Sequence, residues 1–167
     1  LPDGSPDLFF RGFYCWNSEV GAKTLGIASF YLRAVCQNRN LWGVENFQEI
    51  NIRHSKFAAN RFAHEAAPVL AHFADSSPRS FIDGITAARS AVVARKDEDR
   101  ESFLRKEGFS KAETGKIIAA VLAEEGHPPV SVYDFVQGIT AVARSRPHQD
   151  GRLDLEGKAR KLPEGAR

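Results

Sequence analysis

The chain has 167 residues, of which 43% are hydrophobic and 26% charged, and its formal net charge is +2. A chain of this length forms one domain, or one domain and a small appendage, and can bury a sizeable core. The small net charge is no argument for a polyanionic partner, and no apolar run approaches the roughly 20 residues that span a bilayer. We therefore expect no membrane partner.

Residues 8–56 are predicted to form a sheet, because their pattern is that of strands with almost no helical periodicity. Ile50 and Ile52 point to one side of a strand, and Asn51 and Arg53 to the other, which gives one buried and one wet face. The second of the three segments is long enough for a central strand, or for a strand leading into a short helix. The three segments are 8–16, 24–36 and 47–54.

Capping signals predict most helix boundaries in the rest of the chain. Ser110 and Glu113 form a capping box, and Gly126 ends the helix that it opens. Pro68 interrupts the periodicity of an earlier helix, so we expect a bend there, or two short helices that meet. Three further residues are predicted to cap the N-termini of helices. They are Ser77, which is followed by Pro78 at the first helical position, Ser131, and Asp150, which precedes a short helix over 153–161.

These elements predict an α+β protein, with an N-terminal antiparallel β-meander of about three strands followed by a bundle of five or six helices. The chain has no Met, so we expect Leu1 to lie in the middle of a longer polypeptide. The predicted divisions are a linker (1–7), a single domain (8–162) with a sheet part (8–56) and a helical part (57–162), and a flexible tail (163–167).

One motif occurs twice in the helical part. The pattern Phe-aliphatic-x-Gly-Ile-Thr-Ala begins at Phe81 and again at Phe135. Two copies do not make a solenoid, and both duplication and coincidence in Ala-rich helices stay open. The Gly of each copy is expected to allow close helix packing.

Charge is unevenly distributed along the chain. Residues 8–62 hold seven basic and three acidic residues, a local net charge of +4, and aromatic residues lie between the basic ones. Cations that take phosphates and rings that take bases are the usual means of holding single-stranded nucleic acid. The alternative to nucleic-acid binding is that the aromatic residues form the core and the basic residues form a solvated face. The candidate residues are Arg11, Lys23, Arg33, Arg39, Arg53, Lys56 and Arg61 for phosphates, and Tyr14, Trp16 and Trp42 for bases.

Motifs for phosphate or metal binding are incomplete. Residues 114–116 resemble the end of a phosphate-binding loop, but Ser110 stands where Gly is required and Ile117 where Ser or Thr should bind magnesium. His64 and His72 are eight residues apart, which is not the spacing of a helical metal pair. We therefore assign no metal and no cofactor.

The sequence also gives little support for nucleophilic catalysis or for nuclease activity. Cys15 and Cys36 lack metal-type spacing and are predicted to be buried, reduced thiols. Asp7, Glu19 and Lys23 follow the order of a nuclease core, but three residues instead of one separate the last pair. We assign no catalytic residue, and a metal-dependent nuclease stays an alternative.

Five short blocks resemble the "phage/plasmid-like protein" family, a family of unknown function found on bacterial mobile elements. The resemblance covers nearly the whole chain and matches the C-terminal part of longer family members. The most specific blocks are Asn-Ser-Glu-Val-Gly and Cys-x-Asn-Arg. The five blocks are 12–21, 32–39, 42–43, 52–54 and 138–141.

This resemblance implies a bacterial cytoplasm and a neighbourhood of replication, recombination and defence genes, but no activity. The order of three strands and a helix is also similar to the core of phage single-strand annealing recombinases, which is an analogy of fold only. The leading hypothesis is a non-enzymatic accessory protein that binds nucleic acid, single-stranded DNA above all, and that forms homo-oligomers. The main alternative is a module that binds a host or defence protein through its helical half.

Overall fold

The computed structural model describes residues 8–17, 24–33, 39–40 and 50–165. In these residues four strands precede six helices, so the predicted α+β class and the order of its parts are confirmed. The strands are β1 (Phe9–Trp16), β2 (Leu25–Arg33), β3 (Arg39–Asn40) and β4 (Ile50–Ile52). The helices are α1 (Ala58–Asp75), α2 (Arg79–Ser90), α3 (Asp97–Lys106), α4 (Lys111–Glu125), α5 (Val132–Arg144) and α6 (Gln149–Gly165).

Strand β2 is the centre of an antiparallel sheet. β1 pairs with it over its whole length, from Phe9 opposite Arg33 to Trp16 opposite Gly26. The other edge of β2 is shared by two short strands, β3 at one end and β4 at the other. The sheet therefore has three strand positions, as predicted, but β3 lies where the sequence indicated only a polar break.

The two sides of the sheet have different neighbours. Residues directly opposite each other in an antiparallel pair point to the same side, so Phe9, Arg11 and Phe13 share a side with Tyr31 and Arg33. The Tyr31 ring stacks on Phe81 of α2 with 3.9 Å between ring centroids, and Phe9 meets Phe81 edge-on. We call this the helix-facing side, and its aromatic contacts fix the sheet on the helices.

A second, smaller core lies between the sheet and α1. Ile27, Ile50 and Ile52 pack with Ala66 of α1, while Asn51 is exposed, which confirms the predicted alternation in β4. Of the two alternatives predicted at Pro68, the one with two short helices is wrong, because α1 is one helix of 18 residues. Pro68 lies on its exposed face, where water can bond the carbonyl that lacks its donor.

The predicted capping signals of α4 and α5 are confirmed. The Ser110 Oγ accepts from the Glu113 amide at 3.3 Å, and the Glu113 carboxylate accepts from the Ser110 amide at 3.0 Å. The hydrogen bonds that the Ser110 amide and hydroxyl donate to this carboxylate lower the pKa of Glu113. Gly126 ends α4 with φ 76°, in the left-handed region that favours Gly, and Ser131 caps α5 in the same way as Ser110 caps α4.

Two helix–loop–helix units face each other through their loops. Val92, after α2, forms an antiparallel bridge with Ser131, before α5. The buried Arg100 of α3 reinforces this junction, since its Nε donates to the Pro129 carbonyl at 2.7 Å and its Nη2 to the Arg95 carbonyl at 3.2 Å. The units α2–α3 and α4–α5 are therefore joined at their loops as well as through their helix faces.

Helix α5 is the centre of the helical part, since every residue from Val132 to Ala143 is buried. A Cβ added to Gly138 would lie 2.5 Å from Val121 Cγ2 and 2.8 Å from the Ile117 carbonyl oxygen of α4. The predicted close packing at this Gly is therefore confirmed. Helix α6 packs against α5 and is longer than the predicted 153–161. Within the described residues, no helix combines the length and apolarity needed to cross a membrane.

We predict that Gly138→Ala lowers the free energy of unfolding by about 1–3 kcal/mol, because the new methyl group overpacks the contact between α4 and α5. Gly115→Ala on α4 is the matched control, since nothing lies within 4 Å of its added Cβ. That change should stabilise the protein by about 0.5–1 kcal/mol. Urea unfolding followed by circular dichroism measures both, and equal effects would contradict the packing described above.

Candidate nucleic-acid interface

Arg33, one of the predicted phosphate ligands, lies inside the protein. It is 1% exposed and forms a two-pronged ion pair with Glu125 at the end of α4, with 3.3 Å between Nη2 and Oε2. Its guanidinium also lies 5.7 Å from the Tyr133 ring centroid. Arg33 therefore connects the sheet to the helices and is not at the surface where a polyanion would meet it.

Arg11 is also engaged within the protein. It lies on the helix-facing side, and its guanidinium donates to the backbone carbonyls of Ala74 and Ser76 at the C-terminal end of α1. Its carbon Cζ lies 5.8 Å from the Phe73 ring centroid. A cation at the negative end of a helix dipole is stabilising, so this contact accounts for Arg11 without any ligand.

The opposite side of the sheet carries a layer of aromatic rings. The Trp16 ring covers Gly26 so closely that any Cβ there would overlap it, and the Phe30 ring covers Gly12 in the same way. Tyr14 lies between them, with its ring centroid 5.3 Å from that of Trp16 and 6.1 Å from that of Phe30.

We call Tyr14, Trp16 and Phe30 the aromatic face. Phe30 is buried, Tyr14 and Trp16 are half-buried, and Phe30 belongs to neither of the two cores that the helices build.

Arg53, Lys56 and Arg61 form an exposed segment that follows β4, which we call the basic segment. Residues 50–64 contain no acidic residue. Arg61 pairs with Glu65 at 3.0 Å, a surface pair one helical turn away, and such pairs are weak enough to exchange for a phosphate. The first turn of α1 has no acidic residue and no side-chain cap, so its partial positive charge adds to that of the cations.

The remaining candidates cannot be placed in the same way. Lys23 and Trp42 lie outside the described residues, and so do Asp7, Glu19 and Cys36 of the nuclease and thiol hypotheses. Arg39 pairs through its backbone with Leu32 of β2. The structure thus brings together two of the ten candidates on the aromatic face and three in the basic segment.

The described residues contain no group of three His, Cys, Asp or Glu side chains that could hold a metal ion. Cys15 is free and exposed, so the prediction that it is buried is wrong. Partial desolvation nevertheless raises the pKa of its thiol, which makes it a poor nucleophile at neutral pH.

A group of exposed apolar residues in and directly before β1 was not predicted from the sequence. Leu8, Phe10 and Phe13 are each more than half exposed. The signal was present in the sequence, since Arg11 is the only charged residue in the segment 8–16. An edge strand with so little charge is unusual.

Comparison of the chain with protein-family models, with curated proteins and with solved structures finds no match.

Removing the carboxylate of Glu125 should be strongly destabilising. We expect Glu125→Ala to lower the free energy of unfolding by about 3–5 kcal/mol, because the buried charge of Arg33 loses the Glu125 carboxylate. The double variant Arg33→Met/Glu125→Leu should lose less, since it buries no charge. Glu65→Ala breaks the surface pair and should cost at most about 1 kcal/mol. Urea unfolding gives all three values, and a Glu125→Ala cost no larger than that of Glu65→Ala would refute the assignment.

Proposed function

We propose that the protein binds single-stranded nucleic acid through the aromatic face and the basic segment, without catalysing a reaction. The observation that carries this proposal is the position of Tyr14 and Trp16. Both rings are half-buried on the side of the sheet that faces away from the described helix contacts. Rings in such a position can stack on bases of any sequence, which is worth about 1–3 kcal/mol per base.

The backbone register supports a connection between the two parts of this surface. Trp16, Gly26 and Asn51 lie in one row across β1, β2 and β4. Arg53 follows Asn51 by two residues, and Lys56 comes three residues later. A strand whose bases stack on Trp16 would therefore have its phosphates near the start of the basic segment.

The proposed surface is smaller than the sequence alone suggested. Arg11 and Arg33 are excluded from it by their contacts within the protein. Three cations remain in the described part of the surface, and Lys23, Arg39 and Trp42 stay candidates. The family resemblance adds the expected setting, a mobile element in a bacterial cytoplasm, where an accessory protein for annealing or recombination would meet single strands.

Binding to a fluorescein-labelled oligodeoxythymidine, measured by anisotropy at several salt concentrations, tests this proposal. Each phosphate contact to a single strand contributes about −0.7 to the slope of log K against log salt. We expect a wild-type slope near −2, and a slope smaller in magnitude by about 0.7 for Arg53→Gln or Lys56→Gln. Lys106→Gln removes the same charge from the exposed end of α3 and should leave the slope unchanged.

The aromatic contribution is tested separately with two variants of Tyr14. Tyr14→Leu removes a stacking ring and should weaken binding by about 5-fold or more, whereas Tyr14→Phe keeps the ring and should bind like the wild type. A flat salt response, or equal losses for Lys106→Gln and Arg53→Gln, would refute the proposal.

A further inference from the structure

Phe10 carries an exposed aromatic ring on the same side of the sheet as the aromatic face. Side chains alternate between the two sides of a strand, so Phe10 shares its side with Tyr14 and Trp16, and its partner on β2 is Leu32. Phe10 is 58% exposed. Within the described residues it belongs to neither of the two cores, so its ring does not help to hold the sheet on the helices.

Phe13 shows that exposure alone does not define a stacking site. It lies on the same strand and is 57% exposed, but it belongs to the helix-facing side, where it lies beside Leu70 and Ala74 of α1. Phe10 and Phe13 are therefore matched in residue type, strand and exposure, and they differ in the side of the sheet to which they point. Of the two, only Phe10 lies on the side that carries Tyr14 and Trp16.

A layer of rings connects Phe10 to the rest of this side of the sheet. Along β1, the residue between Phe10 and Tyr14 on this side is Gly12, and the Phe30 ring covers it. The Phe30 ring centroid lies 6.1 Å from that of Tyr14. Bases that stack on Trp16 and Tyr14 can therefore continue toward Phe10 over an apolar surface.

The charges of the two strands favour a polyanion on this side. Neither β1 nor β2 contains an acidic residue that would repel a phosphate, and their two charged residues, Arg11 and Arg33, lie on the helix-facing side. The basic segment begins at the Trp16 end of the sheet, because Asn51 lies in the row of Trp16 and Arg53 follows it by two residues. A single strand would therefore meet cations for its phosphates at one end and rings for its bases along β1.

We propose that Phe10 is a third stacking ring, and that a bound single strand runs along β1 from the basic segment, across Trp16 and Tyr14, to Phe10. This inference rests on the proposed nucleic-acid function and adds to it the length of strand that the site takes. Positions 10 and 16 of β1 are six residues apart, which is about 20 Å at a rise of about 3.3 Å per residue. A strand with stacked bases advances about 3.4 Å per nucleotide, so about six nucleotides lie along β1.

Anisotropy with a fluorescein-labelled oligodeoxythymidine of about 12 nucleotides, which is longer than this path, tests the role of Phe10. We expect Phe10→Leu to weaken binding by about 5-fold or more, because leucine stays apolar but offers no ring to a base. Phe10→Tyr keeps the ring and should bind like the wild type, and so should the matched control Phe13→Leu. All three changes are at exposed positions, so the variants should fold, and circular dichroism checks this.

The length of the strand gives a second measurement. Unlabelled oligodeoxythymidines of about 4 to 16 nucleotides, the range of site sizes in single-strand-binding OB folds, compete with the labelled one. Wild-type affinity should rise with length and then level off. Tyr14 and Phe10 are separated by about 13 Å, or about four stacked nucleotides, along β1. The affinity of Phe10→Leu should therefore level off about four nucleotides earlier than that of the wild type.

The outcomes separate this inference from the proposed function. If Tyr14→Leu weakens binding and Phe10→Leu does not, the inference is overturned while the nucleic-acid proposal stands, and the exposed ring is assigned to a partner of other chemistry. Equal losses for Phe10→Leu and Phe13→Leu would also overturn it, because the effect would then not depend on the side of the sheet. A wild-type chain that binds no oligodeoxythymidine at low salt overturns both.

Discussion

The buried ion pair between Arg33 and Glu125 determines how the sheet is placed on the helices. Its partners are 92 residues apart in the chain, and both are taken out of water. Burying two charges is costly unless their geometry is good and further contacts support them. Tyr133 supplies such a contact, because its ring lies near both Arg33 and Arg89. The end of β2 that carries Arg33 must therefore stay covered by α4 and α5, so the aromatic face is turned away from them.

Local signals in the sequence predicted much of this fold. The alternation in β4, the capping boxes at Ser110 and Ser131 and the Gly at the end of α4 each depend on residues within a few positions of one another. The order of strands before helices followed from these signals. β3 has only two residues and no local pattern, and what defines it is its pairing with the edge of β2. Helix α1 continues through Pro68 because that residue lies on the exposed face, which the sequence alone does not show.

The candidate surface was predicted less well, for a physical reason. Arg11 and Arg33 looked equivalent to Arg53, because all three lie in or beside predicted strands. Their contacts, however, are with groups 63 and 92 residues further along the chain, and no local pattern encodes these. Among the candidates whose side chains the structure describes, the exposed cations that remain are those that follow the last strand, where the chain has already left the sheet.

The Trp16 ring, which lies close against Gly26, also gives the protein an internal optical reporter. An indole packed against a backbone and beside a tyrosine has an asymmetric environment, which produces a near-ultraviolet dichroic band. The same indole borders the side of the sheet on which Tyr14 is half-buried. Its emission and dichroism should therefore respond to occupancy of that side without any added dye, and they should also show when β1 separates from β2.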